Sequence, residues 1–271
     1  MRIAVSNLAW DPDLDDEVGA LLVGLGVQGV ELAPTKRWSD PTAVGSEAAA
    51  AERAAWEQRG LPVVALQSLL FGRPDLTVFG DGVSVSGLVD HLGRIARLGG
   101  WLGAGPLVFG SPKNRLRGDR PLEQAMEEAS SVFAAAAESA AASGTCLCIE
   151  PNPPDYGCDF VTRAEEGAAL VRRVDHPGFG LHLDTGSMTL AGDDLGPSVL
   201  AGADVLRHFH ASEPGLAPAG STGQVDHGGA AEALRRSGYD GWVSIEMLVP
   251  GDDPLPVIER AVGFVVETYG G

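Results

Sequence analysis

Eight short apolar segments, each rich in β-branched residues, alternate with helix-forming segments along the sequence, and this alternation limits the fold more than any other feature. The apolar segments span residues 2–7, 28–32, 62–68, 106–110, 146–150, 179–184, 205–210 and 242–246. The helix-forming segments span residues 14–25, 46–59, 85–98, 122–143, 163–174, 194–201, 229–237 and 255–268. Glycines that follow five of these segments are predicted to end the helices: Gly26, Gly60, Gly99, Gly144 and Gly238. Since a helix between two strands lets the second strand run parallel to the first, the pattern predicts a parallel sheet covered by helices.

The number of units and the chain length together favour a closed barrel. The chain has 271 residues, and barrels of eight parallel strands commonly fill about 250 residues as one domain. No linker rich in proline, glycine or serine divides the sequence. We therefore predict an α/β fold, a single (β/α)8 TIM barrel over residues 1–271. An open doubly wound sheet is the alternative, but the first strand is not followed by the G-x-G-x-x-G pattern.

Charge and cysteine content exclude several classes of protein. Acidic residues outnumber basic ones 37 to 19, giving a net charge of -18, which repels nucleic acids and anionic membrane surfaces. Three cysteines are too few for a disulfide framework. The sequence shows neither a signal-peptide pattern nor an apolar run of about 18 residues. We expect a cytoplasmic protein that binds neither nucleic acid nor membranes.

Each of the last four predicted strands ends in a side chain that can bind a metal: Glu150, Asp184, His210 and Glu246. The carboxyl ends of all strands in a parallel barrel lie at the same rim, so these four side chains should meet there. Three converging carboxylates repel one another unless a cation neutralises them. Three oxygen donors and one imidazole suit Mn²⁺, Mg²⁺, Co²⁺ or Zn²⁺, and the oxygen-rich set favours Mn²⁺.

Several segments resemble one family, and LHLDTG and SGYDGWVSIE are the most specific of them. The segments are IAVSNLAWD, GVQGVELAP, IEPN, LHLDTG, HFH and SGYDGWVSIE. Together they are similar to the sugar phosphate isomerase/epimerase branch of the xylose isomerase-like barrel superfamily, which includes ketose 3-epimerases. The resemblance implies that Glu150, Asp184, His210 and Glu246 bind one divalent metal and that Glu150 and Glu246 also act as an acid/base pair. A metal-stabilised enediolate would then carry an isomerisation or an epimerisation of a sugar or polyol.

Three positions depart from the ketose 3-epimerase pattern. Ser187 stands where those enzymes usually have histidine, Tyr156 where they have glutamate, and the segment after the seventh strand lacks their arginine. These departures disfavour a free ketohexose as substrate and favour another polyol, a cyclitol or a modified sugar. Whether the substrate is phosphorylated, and whether the chain forms a homo-oligomer, stay open.

Other polar residues on the same rim are candidate substrate contacts. We assign this role to His182, His208, Glu31, Gln67, Asn152, Lys113 and Arg115. Lys113 and Arg115 lie in a compact basic loop after the fourth strand, where they could clamp a phosphate or carboxylate. Glu31 could instead brace a metal ligand. Asp226 is predicted to cap a helix, and His227 is predicted to face solvent.

The same site allows other outcomes. Proton abstraction beside a carbonyl can end in loss of water, which would make the chain a dehydratase or lyase acting on a keto-sugar or cyclitol. A barrel that binds sugar without turnover is a second alternative. A DNA-repair endonuclease of the endonuclease IV type is disfavoured, because it needs several metals and a basic groove, whereas this chain has six histidines and a charge of -18.

Overall fold

The computed structural model describes residues 1–249, 251 and 253–270, and it contains a closed barrel of parallel strands in chain order. The strands are β1 (Arg2–Ser6), β2 (Gly29–Leu32), β3 (Val63–Leu66), β4 (Pro106–Phe109), β5 (Cys146–Ile149), β6 (Phe179–Asp184), β7 (Leu206–Ala211) and β8 (Trp242–Ile245). Strand β1 pairs with β8, which closes the ring. The predicted (β/α)8 fold is confirmed, and the open doubly wound sheet is excluded.

Helices surround the barrel. Within the described residues they are α1 (Asp15–Gly24), α2 (Ser46–Gln58), α3 (Gly82–Leu102), α4 (Leu122–Ala142), α5 (Ala164–Val174), α6 (Thr185–Leu190), α7 (Leu195–Gly202), α8 (His227–Ser237) and α9 (Leu255–Tyr269). All of them except α6 match a helix-forming segment of the sequence. Helix α6 follows β6 directly, and the Asp184 side chain caps it by accepting a hydrogen bond from the Ser187 amide at 2.7 Å.

Helix α3 extends further than the sequence predicts, and the prediction that Gly99 ends it is wrong. Gly99 lies inside the helix, and Gly103, at a φ of +86°, provides the left-handed residue after it. A Cβ at position 99 would lie 2.8 Å from Leu107 Cδ2, so the glycine permits close contact between helix and barrel. The other four predicted glycines do have positive φ angles: Gly26, Gly60, Gly144 and Gly238.

The two faces of the strands have different surroundings. Outward side chains such as Leu147, Leu181 and Phe209 are buried in a core shared with the helices. Inside the barrel, a small apolar cluster of Ala4, Val64 and Ala65 packs against Trp242. The remaining interior residues become polar toward the carboxyl ends of the strands, as expected for a barrel with a site at that rim. These polar residues are Glu31, Gln67, His182, His208 and Ser244.

The register between β6 and β7 shifts by one residue. His182 pairs with His208 and Asp184 pairs with His210, and Arg207 is an extra residue in β7 relative to β6. Because side chains alternate between the two faces of a strand, this extra residue turns both β7 histidines inward. The bulge thereby places His210 beside Asp184.

Across the described part of the chain, no helix combines the length and the apolar character that a membrane crossing requires.

Candidate metal centre and active site

The four predicted metal ligands meet at the carboxyl rim of the barrel. Asp184 ends β6, His210 lies near the end of β7, and Glu150 and Glu246 directly follow β5 and β8. His210 Nδ1 lies 3.3 Å from Glu246 Oε2 and 3.8 Å from Asp184 Oδ2. Donor atoms of Asp184, His210 and Glu246 all lie within 4.8 Å of one another, and those of Glu150, His182 and Asp184 do likewise.

The electrostatics of this cluster fit a divalent cation. Burial and the neighbouring carboxylates Asp184 and Glu246 raise the pKa of Glu150 to about 8. Burial and repulsion from Glu246 also raise the pKa of Asp184. Among the described residues, Asp184 Oδ2 and His210 Nδ1 are buried and have no hydrogen-bond partner. A cation between these atoms would satisfy both and would offset the repulsion among the carboxylates.

Glu31 lies behind His210 and fixes the orientation of its ring. His210 Nε2 lies 2.9 Å from Glu31 Oε2, and His208 Nε2 lies 3.3 Å from the same oxygen. Burial would raise the pKa of Glu31, but the two imidazoles outweigh it and hold this pKa well below its usual value. Burial likewise disfavours a charged His210, but Glu31 and Glu246 raise its pKa well above the usual value. With Nε2 directed at Glu31, Nδ1 of His210 faces Asp184 and Glu246.

His182 and His208 lie below the rim, inside the barrel. Both are fully buried, and the ring of His182 lies 4.1 Å from that of His210 between centroids. Burial holds the pKa of His182 well below its usual value, which keeps the ring neutral. Neither histidine nor Glu31 lines the cavity described next, so the structure places these three predicted substrate contacts behind the metal ligands.

A cavity of about 350 Å³ opens above the cluster. Its walls are Gln67, Ser68, Val108, Gly110, Ser111, Pro112, Glu150, Asn152, Tyr156, Asp184, Ser187, Gly215, Leu216 and Glu246. Gln67 and Asn152 thus lie where the sequence predicts substrate contacts. The Asn152 amide donates to Glu150 Oε1 at 2.9 Å, and the Ser187 hydroxyl donates to the same oxygen at 3.4 Å. These two bonds orient the Glu150 carboxylate.

Tyr156 joins two loops at the edge of this cavity. Its phenol oxygen accepts a hydrogen bond from the Gly215 amide at 3.0 Å, which links the loop after β5 to the loop after β7. Burial raises the pKa of Tyr156, so the phenol stays protonated. The Tyr156 hydroxyl therefore keeps a proton that it can donate into the cavity.

The structure does not bring Arg115 to the cavity, so its predicted role as an anion clamp is corrected. Its side chain is fully buried and donates to the main-chain carbonyls of Phe160 at 3.0 Å and Glu150 at 2.6 Å. It also donates to the carbonyl of Gly110 and to Asn152 Oδ1. Because these acceptors occupy the guanidinium, Arg115 acts as a positioning residue beneath Glu150. Lys113, in contrast, is exposed on the same loop.

His227 does not face solvent, which corrects the sequence expectation. It is buried, its Nε2 lies 3.2 Å from Glu213 Oε1, and its Nδ1 lies 2.8 Å from the Tyr269 hydroxyl oxygen. Glu213 also accepts hydrogen bonds from the Gly220 amide at 2.9 Å and from Thr222. This network fixes the loop after β7, which carries the cavity residues Gly215 and Leu216. Asp226 caps α8 as predicted, accepting from the Gly229 amide at 2.9 Å.

The fold and the rim cluster together define a TIM-barrel protein with a candidate metal centre. A family described as "Xylose isomerase-like TIM barrel" matches residues 20–267. The chain belongs to this family.

Sequence relatives include sugar epimerases and isomerases. A ketose 3-epimerase from Arthrobacter globiformis is 33% identical over 91 residues, which cover 34% of this chain and 31% of the relative. A putative hydroxypyruvate isomerase from Streptomyces coelicolor is 33% identical over 150 residues, which cover 52% of each chain. The chain thus spans about a third to a half of the length of these relatives. The crystal structure of a D-psicose 3-epimerase in the presence of D-fructose has a TM-score of 0.83 at 17% identity and covers 100% of both chains, which shows a common fold.

Proposed function

We propose that this protein is a divalent-metal-dependent isomerase or epimerase that acts on a sugar or a sugar-like polyol. The observation that supports this most directly is the pair Glu150 and Glu246, which line one cavity beside the candidate metal ligands Asp184 and His210. A reaction that removes and returns a proton beside a carbonyl needs such carboxylates next to a Lewis acid.

In this proposal each group has a defined task. Glu150, Asp184, His210 and Glu246 would hold a divalent cation, which would supply Lewis acidity beside the substrate carbonyl. One of the two glutamates removes the proton from the substrate carbon, and the other returns a proton. Return on the opposite face inverts a stereocentre, whereas return to the neighbouring carbon isomerises the sugar.

The surrounding residues support these tasks. Asn152 and Ser187 orient the Glu150 carboxylate through the hydrogen bonds given above, and Glu31 orients the ring of His210. Gln67 lines the same cavity and donates its amide to Ser6 Oγ at 2.6 Å, and its buried carbonyl oxygen has no hydrogen-bond partner among the described residues. Manganese as the native metal and a cytoplasmic location stay predictions, as does the small-molecule sugar partner.

Solvent-deuterium exchange tests the proposal. The protein loaded with Mn²⁺ is incubated in D2O with ketopentoses, ketohexoses, aldoses and inososes, and incorporation of deuterium beside the carbonyl is followed by NMR. We expect exchange that a chelator abolishes and that Glu150→Gln and Glu246→Gln each lower by about 100-fold or more, in line with the loss of an acid/base group. Glu127→Gln, which changes an exposed glutamate on α4, is the matched control.

Two results would contradict the proposal. A product lighter by one water would indicate a dehydratase that uses the same site. Sugar binding that survives chelation, without exchange of any sugar in the panel, would indicate a non-catalytic binding barrel.

A further inference from the structure

A second, outer cleft adjoins the cavity above the metal ligands. This outer cleft has a volume of about 260 Å³ and is lined by Ser68, Leu70, Phe71, Ser111, Pro112, Lys113 and Asn114. Three of these residues, Ser68, Ser111 and Pro112, also line the inner cavity. A ligand seated in the inner cavity can therefore continue into the outer cleft without leaving the protein surface.

The two serines at the junction hold an unfavourable backbone conformation. Ser68 has a φ of +55° and Ser111 has a φ of +40°, although neither residue is glycine. Such a conformation is unfavourable for a residue with a Cβ atom and is found where the surrounding structure enforces it, often at ligand sites. Each serine lies just beyond the carboxyl end of its strand, β3 or β4, so the strain is concentrated at the rim that carries the site.

Hydrogen bonds join the two loops that form the outer cleft. The Asn114 side chain is buried and donates to the carbonyls of Arg73 at 2.8 Å and Leu76 at 2.7 Å. The Asn114 carbonyl in turn accepts from the Val78 amide at 2.8 Å. The loop after β3 and the loop after β4 are thereby held together, so the cleft is preformed, which lowers the entropic cost of binding a ligand there.

The outer cleft offers an apolar surface and one cation. Phe71 is 74% exposed, whereas its neighbour Leu70 is buried at 4%. The turn that presents Phe71 is closed by a hydrogen bond from its amide to the Ser68 carbonyl at 3.1 Å. Lys113 is exposed, and its ammonium group has no hydrogen-bond or ion-pair partner among the described residues. An aromatic face beside a free donor suits a ring that bears oxygen atoms.

We propose that the outer cleft is a second subsite, in which Phe71 stacks against a ring attached to the reacting sugar and Lys113 donates hydrogen bonds to the oxygen atoms of that ring. The substrate is then a glycoside or another ring-substituted sugar rather than a free monosaccharide. This inference rests on the proposed function, because it takes the inner cavity as the place of reaction.

The test compares each parent sugar that exchanges deuterium with its glycosides. For D-fructose the probes are isomaltulose and lactulose, which carry a second sugar ring at O6 and O4, and for an inosose the probe is its O-glucoside. We expect kcat/KM for exchange to be about 10-fold higher or more for at least one glycoside than for its parent. Phe71→Ala and Lys113→Met should each lower kcat/KM for that glycoside by about 5-fold or more, chiefly by raising KM. For the parent sugar, kcat/KM of each variant should stay within about 2-fold of the value for the unmodified protein.

Control variants separate the subsite from general effects. Val23→Ala shortens an exposed apolar side chain on α1, outside both clefts, and should change neither substrate. Lys113→Arg keeps the positive charge and the hydrogen-bond donors, so it should retain most of the preference for the glycoside that Lys113→Met loses. Equal kcat/KM for parents and glycosides, or an equal loss on both in Phe71→Ala, would overturn the subsite and leave the proposed function standing. Absence of exchange with every parent and every glycoside would overturn the proposed function and the subsite with it.

Discussion

Replacing Arg115 with methionine tests whether this side chain holds the end of β5 in place. The guanidinium is fully buried, and it donates to the carbonyls of Phe160, Gly110 and Glu150 and to the side chain of Asn152. Methionine retains an apolar stem and removes every donor. The substitution therefore removes hydrogen bonds without opening a large cavity.

The expected loss of stability follows from the acceptors that are left behind. A buried acceptor that loses its partner costs about 1–3 kcal/mol, and two main-chain carbonyls, the buried one of Glu150 and the half-buried one of Gly110, lose the guanidinium. Removing a buried cation offsets part of this cost, because its own desolvation no longer opposes folding. We expect Arg115→Met to lower the free energy of unfolding by about 2–5 kcal/mol, a large share of the 5–15 kcal/mol typical of a domain.

Urea denaturation of the metal-free protein measures this change. Lys113→Met, on the same loop but exposed, is the control and should stay within about 0.5 kcal/mol of the parent protein. Arg115→Met should also lower the rate of deuterium exchange, because the main chain at Glu150 loses its support. An unchanged unfolding midpoint together with a raised KM for anionic sugars would refute the positioning role and restore the anion clamp.

Three further predictions concern the metal centre. A Cβ at Gly110 would lie 2.5 Å from Glu150 Oε2, so Gly110→Ala should lower the rate of deuterium exchange by about 10-fold or more at little cost in stability. A Cβ at Gly105 would have no atom within 4 Å, so Gly105→Ala should change neither the rate nor the stability. Equal exchange rates in the two variants would contradict this prediction. The pKa of Glu150 is raised from 4.5 to about 8, so in the folded metal-free protein this carboxyl holds a proton that the unfolded chain has lost, and its contribution to the free energy of unfolding should fall as pH rises from about 4.5 to 8. Urea titrations of the parent protein and of Glu150→Gln isolate this contribution as the difference between the two, and a difference that moves in favour of the parent protein over that window would refute the sign. Glu31→Gln should weaken Mn²⁺ binding by about 10- to 100-fold because the His210 ring loses its carboxylate partner, and calorimetry showing unchanged affinity would exclude this role.

The alternation of apolar and helix-forming segments was sufficient to predict the barrel, because each strand–helix unit is recorded locally in the sequence. The same holds for the four candidate metal ligands. Each of them lies at or next to the end of a predicted strand, and the symmetry of a parallel barrel brings strand ends to one rim. Helix α6 was missed because its six residues, Thr185–Leu190, begin directly at the end of β6 and leave no intervening turn signal.

The roles of polar residues in loops were harder to predict. Arg115 is a cation in a polar loop, and His227 follows Asp226, the residue that caps α8. Residues in such positions are usually exposed to solvent. The partners of Arg115 and His227 are remote in sequence: Phe160 lies 45 residues from Arg115, and Tyr269 lies 42 residues from His227. Burial of such side chains depends on carbonyls and hydroxyls that only the folded chain brings close, so no local pattern reports it.

The sequence by itself determined which residue types reach the rim, because the side-chain period of a strand and the residue at which the strand ends are local properties. The sequence predicted that His208 and His210 face the site, but only the tertiary structure shows how the two side chains come to point there. Without the extra residue Arg207, the alternation continued from Leu206 would turn His208 and His210 toward the helices. That register is set by pairing with β6, and pairing between strands is a property of the assembled sheet rather than of either segment alone.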